Sequence, residues 1–202
     1  MDQEKEKSFE RRQYLIDAAI KEFSQKGYES ASLNNILKEA QISKGTFYYH
    51  FKNKEELYFY LIELLIQEKK RFLGQAMKPE DFQQDIFTIL KLQAKLGIEF
   101  AGNNPEINDF AESFTKEKGS EIYVKALKKY NFHENDPMKL LIDRAYTRGD
   151  LRTDLPKEFV QRLIGYLFTH MAEITNAVKV QEYEGDLNYL IDFMCDGLRA
   201  KE

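Results

Sequence analysis

Residues 32–57 read Ser32-Leu33-Asn34-Asn35-Ile36-Leu37-Lys38-Glu39-Ala40-Gln41-Ile42-Ser43-Lys44-Gly45-Thr46-Phe47-Tyr48-Tyr49-His50-Phe51-Lys52-Asn53-Lys54-Glu55-Glu56-Leu57. Two short amphipathic patterns meet here across three or four residues. Ser32, a residue type that caps helix N-termini, precedes Leu33, Ile36, Leu37 and Ala40 at helical spacing. Ser43 repeats the start signal, and helical spacing from it sets Phe47 and Phe51 on one face with Gly45 and Tyr49 opposite. Asn53 and Glu56 then offer a capping box for a longer helix over 54–75. Two short helices, the second carrying small, hydroxyl and aromatic groups on its outer side, form the pattern of a helix-turn-helix.

Upstream, Ile16, Ala19, Ile20 and Phe23 recur on one face of a predicted first helix over 9–26, with Gly27 as its stop signal and a frayed arm before it. Leu33, Ile36, Leu37, Ile42, Phe47 and Phe51 would pack the helix pair against that first helix, leaving Gly45, Thr46, Tyr48 and Tyr49 turned toward a groove. Gly45 would let the backbone approach DNA closely. Helix starts at Ser32, Ser43 and Asn53 offer N–H groups that suit phosphate oxygens, and Lys44, Lys52 and Lys54 add positive charge beside them. Residues 1–54 carry net charge +2 against −6 for the remainder, from a total of −4, so a polyanion contact is expected at the N-terminal end.

The run from Ile42 to Leu57 resembles the DNA-binding signature of the TetR family of transcriptional regulators. The resemblance extends upstream through Asp17-Ala18-Ala19, Phe23, Gly27-Tyr28 and Ile36, covering about residues 12–60. It implies that Ser32, Tyr48, His50 and Lys54 mainly hold phosphates, while Lys44, Gly45, Thr46 and Tyr49 lie nearest the bases. It also implies an all-helical C-terminal region with a ligand cavity and a two-helix dimerisation face. Three positions depart from the family pattern: Ala31 stands where a threonine is common, Leu37 replaces a common alanine, and Gln41 replaces the glycine common in the turn. Glutamine adopts a left-handed backbone less readily than glycine, so a slightly different turn is expected.

Downstream, helices are predicted near 82–102, 105–115, 117–131, 137–149, 156–181 and 186–200, punctuated by Pro79, Pro105, Pro137, Pro156, Gly149 and Gly185. No segment alternates at period two, so no sheet is expected. The fold class is all-α, about nine or ten helices. A helix-turn-helix DNA-binding domain over 9–69, its fourth helix shared as a linker, precedes a ligand-binding and dimerisation domain over 70–202. Fifteen of the 27 aromatic residues fall between Phe82 and Phe193. Phe100, Phe110, Phe114 and Tyr123, with Tyr146 and His170, are candidates to line a cavity for a small apolar or aromatic ligand; an aromatic stripe is also ordinary core. The last two helices carry Phe159, Leu163, Leu167, Met171, Ile174 and Val178, then Leu187, Leu190, Ile191, Met194 and Leu198. Leu163, Leu167, Ile174, Leu187, Ile191 and Met194 are candidates for a four-helix interface between two copies, against the alternative of intramolecular core.

Other classes are excluded on composition and motif. At 43% hydrophobic and 32% charged the chain is globular rather than disordered. Its longest apolar stretch, Leu57 to Ile62, is far short of a membrane span, and the N-terminal residues lack a secretory apolar core, so a cytoplasmic location without membrane contact is expected. The single Cys195 and the scattered His50, His133 and His170 offer no disulfide or metal spacing. No Walker loop, G-x-S-x-G or H-E-x-x-H is present, so neither catalysis nor a cofactor is assigned. The sequence reads as a homodimeric, effector-released regulator, more a repressor than an activator, that binds a near-palindromic site in double-stranded DNA. The alternative is a helical protein-interaction module without DNA binding.

Overall fold

The computed structural model describes residues 2–131, 137–174 and 183–200. The fold is all-α, with α1 (Asp2–Ser30), α2 (Leu33–Glu39), α3 (Lys44–His50), α4 (Lys54–Ala76), α5 (Ile86–Asn103), α6 (Pro105–Lys116), α7 (Glu121–Lys129), α8 (Pro137–Arg148), α9 (Lys157–Thr169), α10 (Met171–Ile174) and α11 (Tyr183–Leu198). Among the described residues the sole β-type pairing is an isolated bridge between Leu151 and Arg199. The chain forms two compact units, Met1–Lys70 with Asn104–Asn131, and Arg71–Asn103 with Phe132–Glu202.

In the first unit, α1 starts at Asp2 rather than near residue 9, because the Gln, Glu and Lys residues ahead of Phe9 are themselves strong helix formers. Its regular backbone ends at Gly27, whose φ of 70° and ψ of 175° leave the helical region. Leu15, Ile16, Ala19, Ile20 and Phe23 are buried along one face, as their spacing predicts. Ile36 and Leu37 of α2, Phe47 of α3, Phe51, and Leu57, Tyr58, Leu61 and Ile62 of α4 share that interior. Leu33 and Ile42 are half-buried. The α6 helix lies along α1: the Phe110 ring meets Tyr58 edge-on at 5.4 Å, and the buried Ser113 hydroxyl donates to the Phe23 carbonyl at 2.9 Å. Each fully buried large side chain contributes about 1.5–3 kcal/mol to holding these helices together.

The second unit has one apolar core. Ile86, Phe87, Ile89 and Leu90 of α5 meet Leu141, Ile142 and Ala145 of α8, Val160 and Ile164 of α9, and Leu187, Leu190, Ile191 and Met194 of α11. The predicted helix over 82–102 is divided. Residues Asp81–Gln83 form a 3-10 turn, and α5 begins at Ile86 because the Asp85 carboxylate accepts the N–H groups of Phe87 at 3.0 Å and Thr88 at 3.4 Å. Arg148 holds the preceding turn by donating to the carbonyls of Gln83 and Gln84, each at 2.8 Å. The predicted helix over 156–181 breaks at His170, whose backbone leaves helical geometry at φ −102°, ψ 19°. Val178 lies outside the described residues.

Candidate nucleic-acid interface

The two short helices of the first unit are capped by their own side chains. The Ser32 hydroxyl accepts the Asn35 N–H at 3.4 Å, and the Ser43 hydroxyl accepts the Thr46 N–H at 3.1 Å. Asn53 caps α4 by accepting the Glu56 N–H at 2.8 Å, while the Glu56 carboxylate returns to the Lys52 N–H. The connection between α2 and α3 is a Schellman motif. The Ile42 N–H reaches back to the Leu37 carbonyl at 3.0 Å and the Gln41 N–H to the Lys38 carbonyl at 3.2 Å. Gln41 occupies the left-handed position at φ 54°. The altered turn expected from Gln41 is therefore not formed: two backbone hydrogen bonds hold glutamine in the conformation that glycine takes more easily.

This turn and the burial of Phe47 fix which side of α3 faces outward. Lys44, Gly45, Tyr48, Tyr49 and His50 are exposed, Tyr49 at 85% and Tyr48 at 56%, whereas Phe47 is fully buried. Tyr48 leans edge-on against Phe47 at 5.2 Å, and Tyr49 against His50 at 5.0 Å. Thr46 is half-buried, its hydroxyl 2.9 Å from that of Ser43. A Cβ on Gly45 would meet nothing closer than the Ser43 hydroxyl at 3.7 Å, so the chain's own packing does not demand glycine there. Lys44 and Lys52 have no ion-pair partner among the described residues.

Lys54 is placed otherwise than the resemblance implies. Its ammonium donates to the carbonyls of Tyr28, Glu29 and Ala31 at 2.7, 3.2 and 3.0 Å and lies 4.5 Å from the centre of the Tyr28 ring. All three N–H donors thus serve the end of α1, where unpaired carbonyls and the helix dipole attract a cation. Glu22 is a second residue that spacing did not single out. Its carboxylate, 12% exposed, accepts from the Ser32 N–H at 2.9 Å, from Lys26 at 2.8 Å and from the Asn35 amide at 3.4 Å. Burial would raise its pKa, yet the hydrogen bonds from Lys26, Ser32 and Asn35 outweigh burial and hold it below the ordinary carboxylate range. Apart from the Glu22–Lys26 pair four residues apart, their partners are 10 to 26 positions away in the chain, beyond any short-range pattern. Near His50, Arg12 and Lys129 line an open pocket of about 370 Å³ with Glu56 and Glu63, so its charge is balanced.

The residues expected around a ligand fall in different units. Phe110, Phe114 and Tyr123 belong to the first. Phe110 is core there, and Phe114 and Tyr123 pair at 5.0 Å. An open pocket of about 320 Å³ in that unit is lined instead by Tyr14, Lys21 and Ser24 together with the acidic Asp17, Glu39, Glu106 and Asp109. Phe100, Tyr146 and His170 belong to the second unit. There Phe100 packs on Phe72 at 5.4 Å, the Tyr146 hydroxyl meets the Leu155 carbonyl at 3.4 Å, and His170 stacks on Tyr166 at 4.1 Å with its Nδ1 2.9 Å from Glu173. Of the expected interface set, Leu187, Ile191 and Met194 are buried in the second unit's own core, which leaves them unavailable to a second copy. Leu163 and Leu167 are half-buried and Ile174 is 52% exposed. The large exposed apolar groups of α9 and α11 are Phe159, Tyr166, Tyr189 and Phe193, three of which sequence reasoning did not select because helical spacing alone favoured the leucine-rich face.

A three-helix bundle that buries Phe47 and Phe51 and displays the opposite face of a seven-residue helix is a helix-turn-helix module of the DNA-binding regulator class. Residues 15–61 match the family model for bacterial regulatory proteins of the tetR family. The HTH-type transcriptional regulator YhgD of Bacillus subtilis is 34% identical over 111 residues, 52% of this chain and 58% of that protein. The negative transcriptional regulator IcaR of the icaADBC biofilm operon of Staphylococcus epidermidis is 26% identical over 138 residues, 64% of this chain and 72% of that protein. A TetR family transcriptional regulator from Chloroflexus aurantiacus, known from its crystal structure, shares the fold with a TM-score of 0.73 and 27% identity over 97% of this chain and 98% of that one. The chain thus carries a tetR-family DNA-binding region at residues 15–61 and shares its fold with a TetR family transcriptional regulator. It spans about half the length of the first curated relatives it matches, 58% and 51%.

Proposed function

We propose that this chain is a transcriptional repressor that binds a near-palindromic operator as a homodimer, reads it with α3, and is released by a small apolar or aromatic effector. The observation that carries the reading is the division of α3 into a buried aromatic anchor, Phe47, and an exposed row of Lys44, Gly45, Tyr48, Tyr49 and His50. Exposed tyrosines, an unneeded glycine and an unpaired lysine on one short helix suit a groove lined by phosphates and base edges. Ser32, Ser43, Tyr48 and His50 take the phosphate role, with Lys44 and Lys52 as its cations, and Gly45, Thr46 and Tyr49 lie nearest the bases. DNA reading belongs to 9–69, effector binding and dimerisation to 70–202. Relatives named as a negative regulator and as a probable operon repressor favour repression. The regulator is placed in the cytoplasm and acts by binding rather than turnover; no helix among the described residues is long and apolar enough to cross a membrane.

Dimerisation is assigned to the outer faces of α9 and α11, where Phe159, Tyr166, Tyr189 and Phe193 expose apolar surface that a symmetric partner would cover. Phe100, Tyr146 and His170 are the aromatic groups of the second unit retained as effector contacts. The test is selection of the purified protein against random duplex DNA, with affinity then measured across a salt series. Enrichment of an inverted repeat, with affinity falling steeply as salt rises, is the expected result. A folded protein that enriches no sequence and binds DNA at no salt concentration would overturn the reading in favour of a protein-interaction module.

A further inference from the structure

The strongest unexplained geometry lies at the end of α1, where a residue from α6 reaches the chain just before α2. The Glu117 carboxylate, at the C-terminus of α6, accepts the Tyr28 N–H at 2.6 Å. This approach exists because Gly27 has no side chain: a Cβ there would lie 2.7 Å from the same Glu117 oxygen, in a backbone that is already at φ 70°. Tyr28 is held on its other sides as well. Its carbonyl accepts from Lys54, its ring lies under the same ammonium at 4.5 Å, and that ring meets Tyr58 at 4.9 Å. The Tyr58 hydroxyl is buried without a hydrogen-bond partner among the described residues, and burial, with the nearby Glu117 charge, pushes its pKa up.

We infer that Glu117 is a positioning residue for DNA reading: its carboxylate sets the angle at which the chain leaves α1, and so the placement of α2 and α3. The inference rests on the DNA-binding reading above. Four residues separate Tyr28 from α2, and the Ala31 N–H returns to the Gly27 carbonyl at 3.2 Å, so the kink is rigidly coupled to the Ser32 cap. Without the carboxylate, the Tyr28 N–H loses its acceptor and the exit angle loses its direct tie to α6. Ser113 provides the internal comparison. It also joins α6 to α1, through the Phe23 carbonyl, but inside the regular helix, where a lost contact shifts stability without redirecting the chain.

The experiment compares Glu117→Ala, Glu117→Gln and Ser113→Ala in the full chain, each checked by thermal unfolding, for affinity to the selected operator and to unrelated duplex DNA. Glu117→Ala is expected to lower operator affinity about tenfold, the scale of one hydrogen bond to a charged group, with affinity for unrelated DNA and the salt slope unchanged. Glu117→Gln keeps an acceptor oxygen and should restore operator affinity to within about threefold of wild type. Ser113→Ala should lower the unfolding temperature and leave the ratio of operator to unrelated affinity alone. Should Glu117→Ala fail to fold, Glu117→Asp, whose shorter side chain withdraws the carboxylate, asks the same question. An equal ratio in the Glu117 and Ser113 variants, or a Glu117→Gln protein as impaired as Glu117→Ala, would overturn the inference. A wild-type protein that binds no DNA would instead refute the underlying reading, so the two failures are distinct.

Discussion

The two units of this chain stabilise their helices by different means. The first has helices of seven residues, α2 and α3, too short to persist alone, and it fastens them with side chains brought from far along the sequence. Glu22 holds the start of α2, Lys54 the end of α1, and Glu117 the kink between them. The second is organised around a continuous apolar core drawn from α5, α8, α9 and α11, with polar ties at its surface, such as Lys157 to Asp143 between α9 and α8 and Arg148 to the turn before α5. A surface that must present Tyr48, Tyr49 and Lys44 to solvent cannot also bury them. Its geometry therefore depends on directional hydrogen bonds added to the buried core around Phe23, Phe47 and Tyr58.

The largest effect that would test this contrast is in the second unit. Ile191→Ala removes a fully buried side chain and is expected to destabilise the protein by about 3 kcal/mol in urea unfolding, whereas Tyr189→Ala on the outer face of the same helix should leave the fold nearly unchanged and weaken self-association in sedimentation. Equal stability losses at both positions would erase the distinction between inner and outer faces. In the first unit, Lys54→Ala should cost roughly 2 kcal/mol of stability, because three carbonyls lose a charged donor. It should leave the salt slope of DNA binding unaltered. Lys44→Ala should do the reverse, changing stability little while reducing that slope by about one. A Lys54 variant with normal stability and a flattened slope would return Lys54 to the phosphate role.

Acid sensitivity distinguishes the units more gently. Glu22 has a folded-state pKa below its unfolded value, so its stabilising contribution is complete above the unfolded pKa and disappears as the pH falls through the lowered folded value. Glu22→Gln should therefore be somewhat less stable at neutral pH, by about 1 kcal/mol, and should lose less stability than wild type on acidification from roughly pH 6 to pH 3. Parallel losses in both proteins would assign the acid response to other carboxylates. The smallest expected effect concerns two helix ends of the same geometry. Gln41→Gly relieves a left-handed glutamine and should stabilise the protein by about 0.5–1 kcal/mol, while Gly149→Ala, at φ 80°, should destabilise it by a similar amount. A destabilised Gln41→Gly protein would mean that the glutamine side chain itself holds the turn.

Local signals were legible wherever a helix is defined by neighbours within one or two turns. The caps at Ser32, Ser43 and Asn53, the buried face through Ile16, Ala19, Ile20 and Phe23, and the break at Gly27 are all written in spacing that repeats every three or four residues. The outward set of α3 follows from the same periodicity once Phe47 is known to point inward. What spacing could not show is which carbonyls the Lys54 ammonium meets. A lysine at the start of a helix beside a DNA-reading element invites a phosphate, and the carbonyls that occupy it instead lie 23 to 26 residues earlier. On α11, the inward leucine-rich face and the outward Tyr189 and Phe193 face are both apolar, so periodicity identifies an amphipathic helix without saying which apolar stripe the core takes.

The amino-acid order was thus sufficient for the all-helical class, for most helix starts and stops, for the helix-turn-helix and for its outward residues, because each rests on interactions within a few positions along one helix. The grouping of α6 and α7 with the N-terminal helices, the left-handed Gln41, the clamp on Tyr28 and the choice of inner face on α11 emerged with the folded chain. Each depends on which distant segments share space, and that is settled by the joint packing of many side chains and by the need of every buried N–H, carbonyl and charge for a partner.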